Sequence, residues 1–217
     1  AGMSMRTPPA FCRLMSAPPK RWPCSRKASA TSCWMSPPWA ITVASLLQAS
    51  PRLERVVSRL APASDVDADD LAHAIRVGLE APLLLTAAFL RATEGWTAPR
   101  KVLMVSSGLG RRAMAGSASY CAAKAGMDHL ARAVALEEAT KPHGARIVSL
   151  APGVIDTDMQ RQLRGADAAT FPERERFATL HAKGQLDSPG SAATKLLAYL
   201  GRADFGTNPV ADVRDPA

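Results

Sequence analysis

The stretch KVLMVSSG at residues 101–108 decides the fold of this 217-residue chain. Its first six residues form a short, mostly apolar run that ends at a serine- and glycine-containing turn, as expected of a buried parallel strand. A second run of the same kind, ARIVSL, occupies 145–150, and a helical pattern at 119–139 separates the two. Two strands joined through a crossover helix are the unit from which parallel sheets are built, so the sequence predicts an α/β fold.

A second helix is predicted over about 68–93, before the first of these strands. Its N-cap is expected at Ser64 or Asp65, because aspartates follow in the first turn, where the helix dipole favours negative charge. Pro82 is expected to bend it. The apolar residues that recur at helical spacing are Leu71, Ile75, Leu79, Leu83 and Leu84.

The remaining elements continue the alternation of strand and helix. Helices are predicted near 172–183 and 189–201, and a last short strand at 209–213. In the helix at 119–139, one face is predicted to be apolar, formed by Ala123, Met127, Leu130, Ala131 and Val134. This order of elements favours a parallel sheet that is covered by helices on both faces.

The basic charge of the chain is confined to its first 60 residues. The formal net charge is +8; residues 1–60 hold nine Lys or Arg against one acid, Glu54, and the remainder is balanced. This segment also has eight of the 17 prolines and a single glycine, Gly2. Because proline lacks an amide donor and excludes helix before it, the segment is predicted to be irregular, with a strand or short helix only at 40–47.

Three interpretations of residues 1–60 are open. They are an organelle targeting peptide, a basic tail that binds nucleic acid, and the product of a shifted reading frame. The scattered basic residues and the prolines count against the first two, so a frame-shifted or disordered segment is favoured. Residues 61–217 are then predicted to be the C-terminal part of a single α/β domain, whose sheet is incomplete at the N-terminus.

Several functional classes are disfavoured by composition. No apolar run approaches the roughly 18 residues of a membrane span. Cys12, Cys24 and Cys33 include no CxxC pair and have no histidine nearby, which argues against a zinc site or a disulfide framework. We therefore expect a cytoplasmic protein with no metal, no membrane segment and no nucleic-acid partner.

Three polar side chains are predicted to meet at the carboxyl edge of the sheet. Tyr120 and Lys124 are four residues apart and project from one helix face. Ser107 ends a strand, where parallel sheets place their ligand crevice. A neighbouring ammonium favours the phenolate and lowers the pKa of a tyrosine toward the working range, while the serine hydroxyl can hydrogen-bond a carbonyl. Thr157 adds a hydroxyl after the second strand.

These residues, taken together, resemble the short-chain dehydrogenases/reductases. The matching motifs are VSSG at 105–108, YCAAK at 120–124 and APGVIDT at 151–157, and the resemblance covers 61–217. It implies a Rossmann-type doubly wound sheet. Three segments are also similar to the sepiapterin reductase branch of the family, at 151–160, 177–200 and 204–215.

The resemblance implies the reduction of a ketone, a dicarbonyl or a pterin side chain by hydride transfer from NADPH or NADH. Ser107 would polarise the carbonyl, Tyr120 would be the general acid, and Lys124 would lower the tyrosine pKa and hold the nicotinamide ribose. Asp212 stands where the branch has an acid that anchors the substrate. The nicotinamide pocket would be lined by Pro152, Gly153, Ile155 and Thr157.

The sequence departs from the family pattern in its cofactor half. The glycine-rich TGxxxGxG turn does not occur, the NNAG strand is replaced by the stretch at 54–61, and Gly78 stands where the family has asparagine. Weak cofactor binding is therefore expected. Two functions stay open: a carbonyl reductase, and a catalytically inactive relative that keeps a homodimer surface on the helices near 68–93 and 119–140.

Overall fold

Parallel strands form one sheet at the centre of the fold. The computed structural model describes the backbone of residues 40–42 and residues 60–168 and 171–216 in full. Within these ranges the sheet has four strands in the order β1-β2-β3-β4, all parallel. The strands are β1 (Ala40–Thr42), β2 (Lys101–Val105), β3 (Arg146–Ala151) and β4 (Val210–Asp212). The predicted α/β fold with a parallel sheet is confirmed.

Strand β1 lies inside the segment that the sequence predicts to be irregular. Its three residues coincide with the start of the apolar stretch at 40–47, and Ile41 pairs with Val102 of β2. Residues 1–39 and 43–59 lie outside the described residues. The interpretations of this segment therefore stay predictions.

Helices cover both faces of the sheet, as predicted. Their bounds are α1 (Ala68–Ile75), α2 (Ala81–Ala92), α3 (Ala118–Ala139), α4 (Asp158–Gly165), α5 (Arg174–Ala182) and α6 (Pro189–Gly201). A π-helical turn, Arg76–Glu80, joins α1 to α2. The sequence patterns did not predict α4, which is short and mostly polar.

The two faces of the sheet carry separate apolar clusters, because successive side chains of a strand point in opposite directions. One cluster joins β2 and β3 to α2 and α3, and includes Val102, Met104 and Ile147. The other joins the opposite side of the same strands to α6, and includes Leu103 and Val148. The predicted apolar face of α3 is confirmed, since Ala123, Met127, Ala131 and Val134 are buried.

The N-terminal cap of α1 differs from the expected one. Asp67 is the N-cap, and its carboxylate accepts hydrogen bonds from the amides of Asp69 at 2.9 Å and Asp70 at 3.1 Å. The predicted caps, Ser64 and Asp65, instead lie within a short 3-10 turn, Ala63–Asp65. An aspartate two to three residues before the free amides reaches them, whereas residues 64 and 65 lie too early in the chain.

The long helix is interrupted before Pro82 by a change in hydrogen bonding. The amide of Ala81 donates to the carbonyl of Arg76, five residues back, which widens the helix into a π turn. Proline cannot supply the bond to Gly78 that a regular α-helix would have at this place. The predicted effect of Pro82 therefore takes the form of a π-helical turn that ends where α2 begins.

The helical stretch from Ala68 to Ala92 is long and apolar enough, by length and composition alone, to cross a membrane. Only 33% of the most apolar 18-residue part of this stretch is buried inside the structure. Core helices of water-soluble proteins meet the same criterion, so it is weak evidence for a membrane span. The exposed apolar part includes Leu71, Leu83 and Leu84, which are 40%, 43% and 58% exposed.

Candidate active site

A cleft of about 410 Å³ opens at the carboxyl ends of β2, β3 and β4. This is the edge at which parallel sheets bind ligands, because the loops that follow the strands converge there. All the residues that the sequence assigns to catalysis, cofactor or substrate line this one cleft: Ser107, Tyr120, Lys124, Pro152, Gly153, Ile155, Thr157 and Asp212. Their individual roles stay predictions.

Ser107 and Tyr120 both line the cleft, and the serine hydroxyl lies near enough to the phenol to influence its pKa. Ser107 lies two residues after the end of β2 in an extended conformation, and its hydroxyl accepts a hydrogen bond from the amide of Leu109 at 3.2 Å. That bond caps a short 3-10 turn, Gly108–Gly110, and so fixes the serine at the end of the strand. Tyr120 lies in the first turn of α3. The two hydroxyls can therefore contact one oxygen atom in the cleft.

The pKa of Tyr120 is raised above its ordinary value, mainly because the phenol is buried. The side chain of Ser107 lowers the pKa and the neighbouring Cys121 raises it, but burial dominates. This differs from the expectation that Lys124 draws the tyrosine pKa down. The lysine Nζ lies 5.7 Å from the centroid of the Tyr120 ring. A phenol with a raised pKa keeps its proton at neutral pH, which suits an acid better than a base.

Lys124 is buried in the wall of the cleft, with 8% of its surface exposed. Its Nζ donates a hydrogen bond to the carbonyl of Val105 at 2.9 Å, at the end of β2. Burial lowers the pKa of Lys124 to about 8, although the carboxylate of Asp128 acts in the opposite direction. The ammonium is therefore charged at neutral pH and loses its proton when the pH rises through about 8.

The loop after β3 is held by backbone pairing rather than by its side chains. The amide of Asp187 donates to Val154, and the amide of Asp156 donates to Asp187, both at 2.9 Å. Gly153 has a φ of +82°, a conformation that residues with a Cβ rarely adopt. The turn at this glycine and the pairing with Asp187 place Ile155 on the wall of the cleft.

Comparison with known proteins identifies the family of the chain. A family model described as short chain dehydrogenase matches residues 55–168, which is more than half of the chain. The chain belongs to the short-chain dehydrogenase family. It is 33% identical over 149 residues to the benzil reductase ((S)-benzoin forming) of Bacillus cereus, covering 69% of this chain and 60% of that protein. It is 35% identical over 117 residues to the sepiapterin reductase of Rattus norvegicus, covering 54% and 42%.

Solved structures agree on the fold. The KRED1-Pglu enzyme superposes with a TM-score of 0.65 and 22% identity, over 79% of this chain and 67% of that chain. A short chain dehydrogenase from Shigella flexneri, complexed with NADP, gives a TM-score of 0.56 at 19% identity, over 73% and 59%. The predicted Rossmann-type fold is thus confirmed. The chain spans about 60% of the length of the benzil reductases it matches.

Gly78 marks a departure of this short-chain dehydrogenase from the family pattern. The glycine is buried in the π-helical turn and lines the cleft. A Cβ at this position would lie 2.8 Å from the Cβ of Ala123 on α3, closer than real side chains approach. The helices therefore pack too tightly here for an asparagine to be accommodated unless one of them shifts. No side-chain amide reaches the cleft from position 78.

Asp212 lies at the end of β4 and lines the cleft, but its carboxylate already has a partner. Arg214 donates from Nε to Oδ1 at 2.7 Å and from Nη2 to Oδ2 at 2.6 Å. The hydrogen bonds with Arg214 hold the pKa of Asp212 below its ordinary value. A substrate group anchored by Asp212 must therefore compete with a bidentate guanidinium.

The sequence patterns did not predict that α4 and α5 form a wall of the cleft. Gln160 of α4 is 6% exposed, and its Oε1 has no hydrogen-bond partner within the ranges that the structure describes. Phe177 and Arg176 of α5 also line the cleft. The spacing of Met159 and Leu163, four residues apart after Thr157, was the available signal for α4. Among residues 60–168 and 171–216, no group of three metal-ligating side chains is found.

Proposed function

We propose that this short-chain dehydrogenase reduces the carbonyl group of a small molecule with a nicotinamide cofactor. The observation that carries the proposal is the placement of Ser107, Tyr120 and Lys124 in the lining of one cleft at the carboxyl edge of the sheet, with Tyr120 and Lys124 on the same helix. Two relatives, from Bacillus cereus and Rattus norvegicus, are named as reductases, which supports the same class of reaction.

The chain's own residues account for the handling of the proton. Ser107 donates a hydrogen bond to the substrate oxygen and so orients the carbonyl. Tyr120, which keeps its proton because burial raises its pKa, transfers that proton to the same oxygen as negative charge develops there. The positive charge of Lys124 stabilises the phenolate that remains.

The cleft fits the nicotinamide end of such a cofactor, which when bound would supply the hydride. The ammonium of Lys124 can hold ribose hydroxyls, and Thr157 offers a hydroxyl at the mouth of the loop after β3. Pro152, Gly153 and Ile155 supply a largely apolar wall for the ring. NADP is the first candidate and NAD the second, which follows the resemblance to the sepiapterin reductase branch; neighbours of the same fold are complexed with NADP and with NADH. Binding is expected to be weak, because the sequence has no TGxxxGxG turn for the phosphates.

The test is the oxidation of NADPH, followed at 340 nm, in the presence of a small aromatic 1,2-diketone. We expect a rate that is proportional to enzyme concentration and requires a cofactor concentration well above the micromolar range. A stoichiometric amount of hydroxyketone should be formed. No turnover at any cofactor concentration, together with no change in NADPH fluorescence on mixing, would contradict the proposal.

A second candidate is a catalytically inactive relative that keeps a subunit interface. The replacement of the asparagine by Gly78, tightly packed against Ala123, favours it. Its interface would be the one predicted on the helices near 68–93 and 119–140. Both helices expose large apolar side chains: Leu71, Leu83 and Leu84, and Leu136 at 73% exposure. Large apolar side chains that are exposed on packed helices are a feature of interaction sites.

We propose that this leucine surface packs against a second copy of the chain, whether or not the chain is active. The change Leu84→Arg is expected to convert a dimer into a monomer, because a buried unpaired charge at an interface is costly. Light scattering coupled to size-exclusion chromatography measures the mass directly. The matched control is Leu197→Arg, on α6, where the leucine is 50% exposed. A wild-type monomer, or equal effects of both changes, would contradict the assignment.

A further inference from the structure

A buried carboxylate lies behind the proposed catalytic residues. Asp128 follows Lys124 by one turn of α3 and is 1% exposed. Its Oδ1 accepts two hydrogen bonds, from the hydroxyl of Ser106 at 2.6 Å and from the hydroxyl of Ser149 at 2.7 Å. Ser106 directly precedes Ser107, and Ser149 belongs to β3. One oxygen atom therefore ties the ends of two strands to the helix that carries Tyr120.

The second oxygen of Asp128 faces an arginine. Arg111 places its Nε 3.4 Å from Oδ2, and its Nη2 donates to the carbonyl of Ala211 in β4 at 3.0 Å. Among the described residues, Oδ2 makes no hydrogen bond of its own. The turn that carries Arg111 packs tightly on α3, since a Cβ on Gly110 would lie 2.7 Å from Oδ2. The carboxylate is thus held by a single guanidinium and two hydroxyl groups.

Two opposite charges are therefore enclosed in the same part of the core. Lys124 and Asp128 are four residues apart on one helix, a spacing that brings side chains together, and both are more than nine-tenths buried. A charge that leaves water is destabilised unless an opposite charge lies nearby, and the interaction between charges is stronger in a buried site than in water. The carboxylate of Asp128 therefore favours the charged form of Lys124.

We propose that Asp128 is a positioning residue of this active site, whose carboxylate keeps Lys124 in its charged form and fixes the strand end that carries Ser107. The inference rests on the proposed function, because it assigns Asp128 a part in the same proton transfer. The segments packed against α3 bring other charged or titratable residues. On the helical stretch before it these are Asp69, Asp70, His73, Arg76, Glu80 and Arg91, and around the sheet they are Arg111, Arg146, Asp212 and Arg214. Asp128 is the charged group that raises the pKa of Lys124, against the larger effect of burial.

The test compares two changes that affect the charge near Lys124 in opposite ways. Asp128→Asn keeps an oxygen that can accept from Ser106 and Ser149 but removes the negative charge. Arg111→Gln removes a positive charge and leaves the carboxylate in place. The pKa of Lys124 is measured by NMR on protein with ¹³C-labelled lysine, and its signal is assigned by its loss in Lys124→Met.

We expect the pKa of Lys124 to fall by roughly one unit in Asp128→Asn and to rise in Arg111→Gln. The charged fraction of Lys124 at pH 8 is then about one half in the wild type and about one tenth in Asp128→Asn. The basic limb of the pH profile of kcat/KM should move in the same directions. If Asp128 had a merely structural role, the pKa of Lys124 would not shift in opposite directions in the two variants.

Ser149→Ala is the matched control, because it removes one hydrogen bond to Asp128 and leaves all charges in place. Its lysine pKa should equal that of the wild type. An unchanged pKa in Asp128→Asn, or shifts of the same sign in both charge variants, would overturn the inference. If the pKa of Lys124 shifts as expected in the two variants but the wild-type protein reduces no carbonyl compound, only the proposed function is contradicted.

Discussion

Replacing Tyr120 by phenylalanine is expected to lower kcat for carbonyl reduction by about 10²- to 10⁴-fold, the range that a positioned general acid contributes. The ring remains to pack in the cleft, while the hydroxyl that is proposed to donate the proton is lost. Stability should change little, because phenylalanine fills the same space. The measurement is the steady-state rate of NADPH oxidation, with the melting temperature recorded for both proteins.

Tyr199→Phe is the matched control for this change. The sequence has two tyrosines, and Tyr199 packs edge-on against Phe205 on the far side of the sheet. Its hydroxyl is not part of the cleft lining, so kcat should stay at the wild-type value. Retention of wild-type activity in Tyr120→Phe would remove the tyrosine from the proposed mechanism.

The largest effect on stability is expected for Glu138→Gln. Glu138 is 1% exposed, and its carboxylate contacts the guanidinium of Arg100 at 3.2 Å, the ammonium of Lys141 at 2.5 Å and the amide of Ala145 at 2.8 Å. Removing its charge leaves the buried arginine without a counter-ion. Breaking such a pair costs about 3–5 kcal/mol. Arg100 keeps bonds to Thr93 and His143, so we expect the low end, about 3 kcal/mol.

This loss corresponds to a fall in melting temperature of roughly 6–12 °C for a chain of this size. Differential scanning calorimetry would measure it, with Glu137→Gln as the control. Glu137 is the preceding residue of α3 but is exposed, so its change should cost less than about 0.5 kcal/mol. Equal melting temperatures for the two variants would show that the buried pair does not stabilise the fold.

The stability that Glu138 provides should also depend on pH. Burial alone would raise the pKa of Glu138, but the hydrogen bonds from Ala145 and Lys141 and the charges of Lys141 and Arg100 hold it below its ordinary value. A carboxyl whose pKa is lower in the folded state stabilises the protein above the unfolded pKa and loses this effect as the pH falls through the folded pKa. Wild type and Glu138→Gln should therefore converge in stability in acid, below about pH 4.5.

Local sequence patterns predicted most of the secondary structure that frames the site. Short apolar runs bounded by proline or glycine identified β2 and β3, and the period of 3.6 identified α3 and its buried face. These signals are local, because the positions of the apolar residues within a strand or helix indicate which of its faces is buried. The short polar helix α4 has no such apolar run, so its wall of the cleft, with Gln160, was not found.

The sequence by itself determined the family and the residues at the carboxyl edge of the sheet. Ser107 ends a strand and Tyr120 and Lys124 share a helix face, which are properties of spacing along the chain. Which residues surround them was decided only by the tertiary structure. Asp128 meets Ser106 and Ser149 across 22 and 21 positions, and Arg100 meets Glu138 across 38. The burial of Tyr120 and Lys124 is likewise the largest influence on their pKa, because desolvation depends on packing from distant parts of the chain.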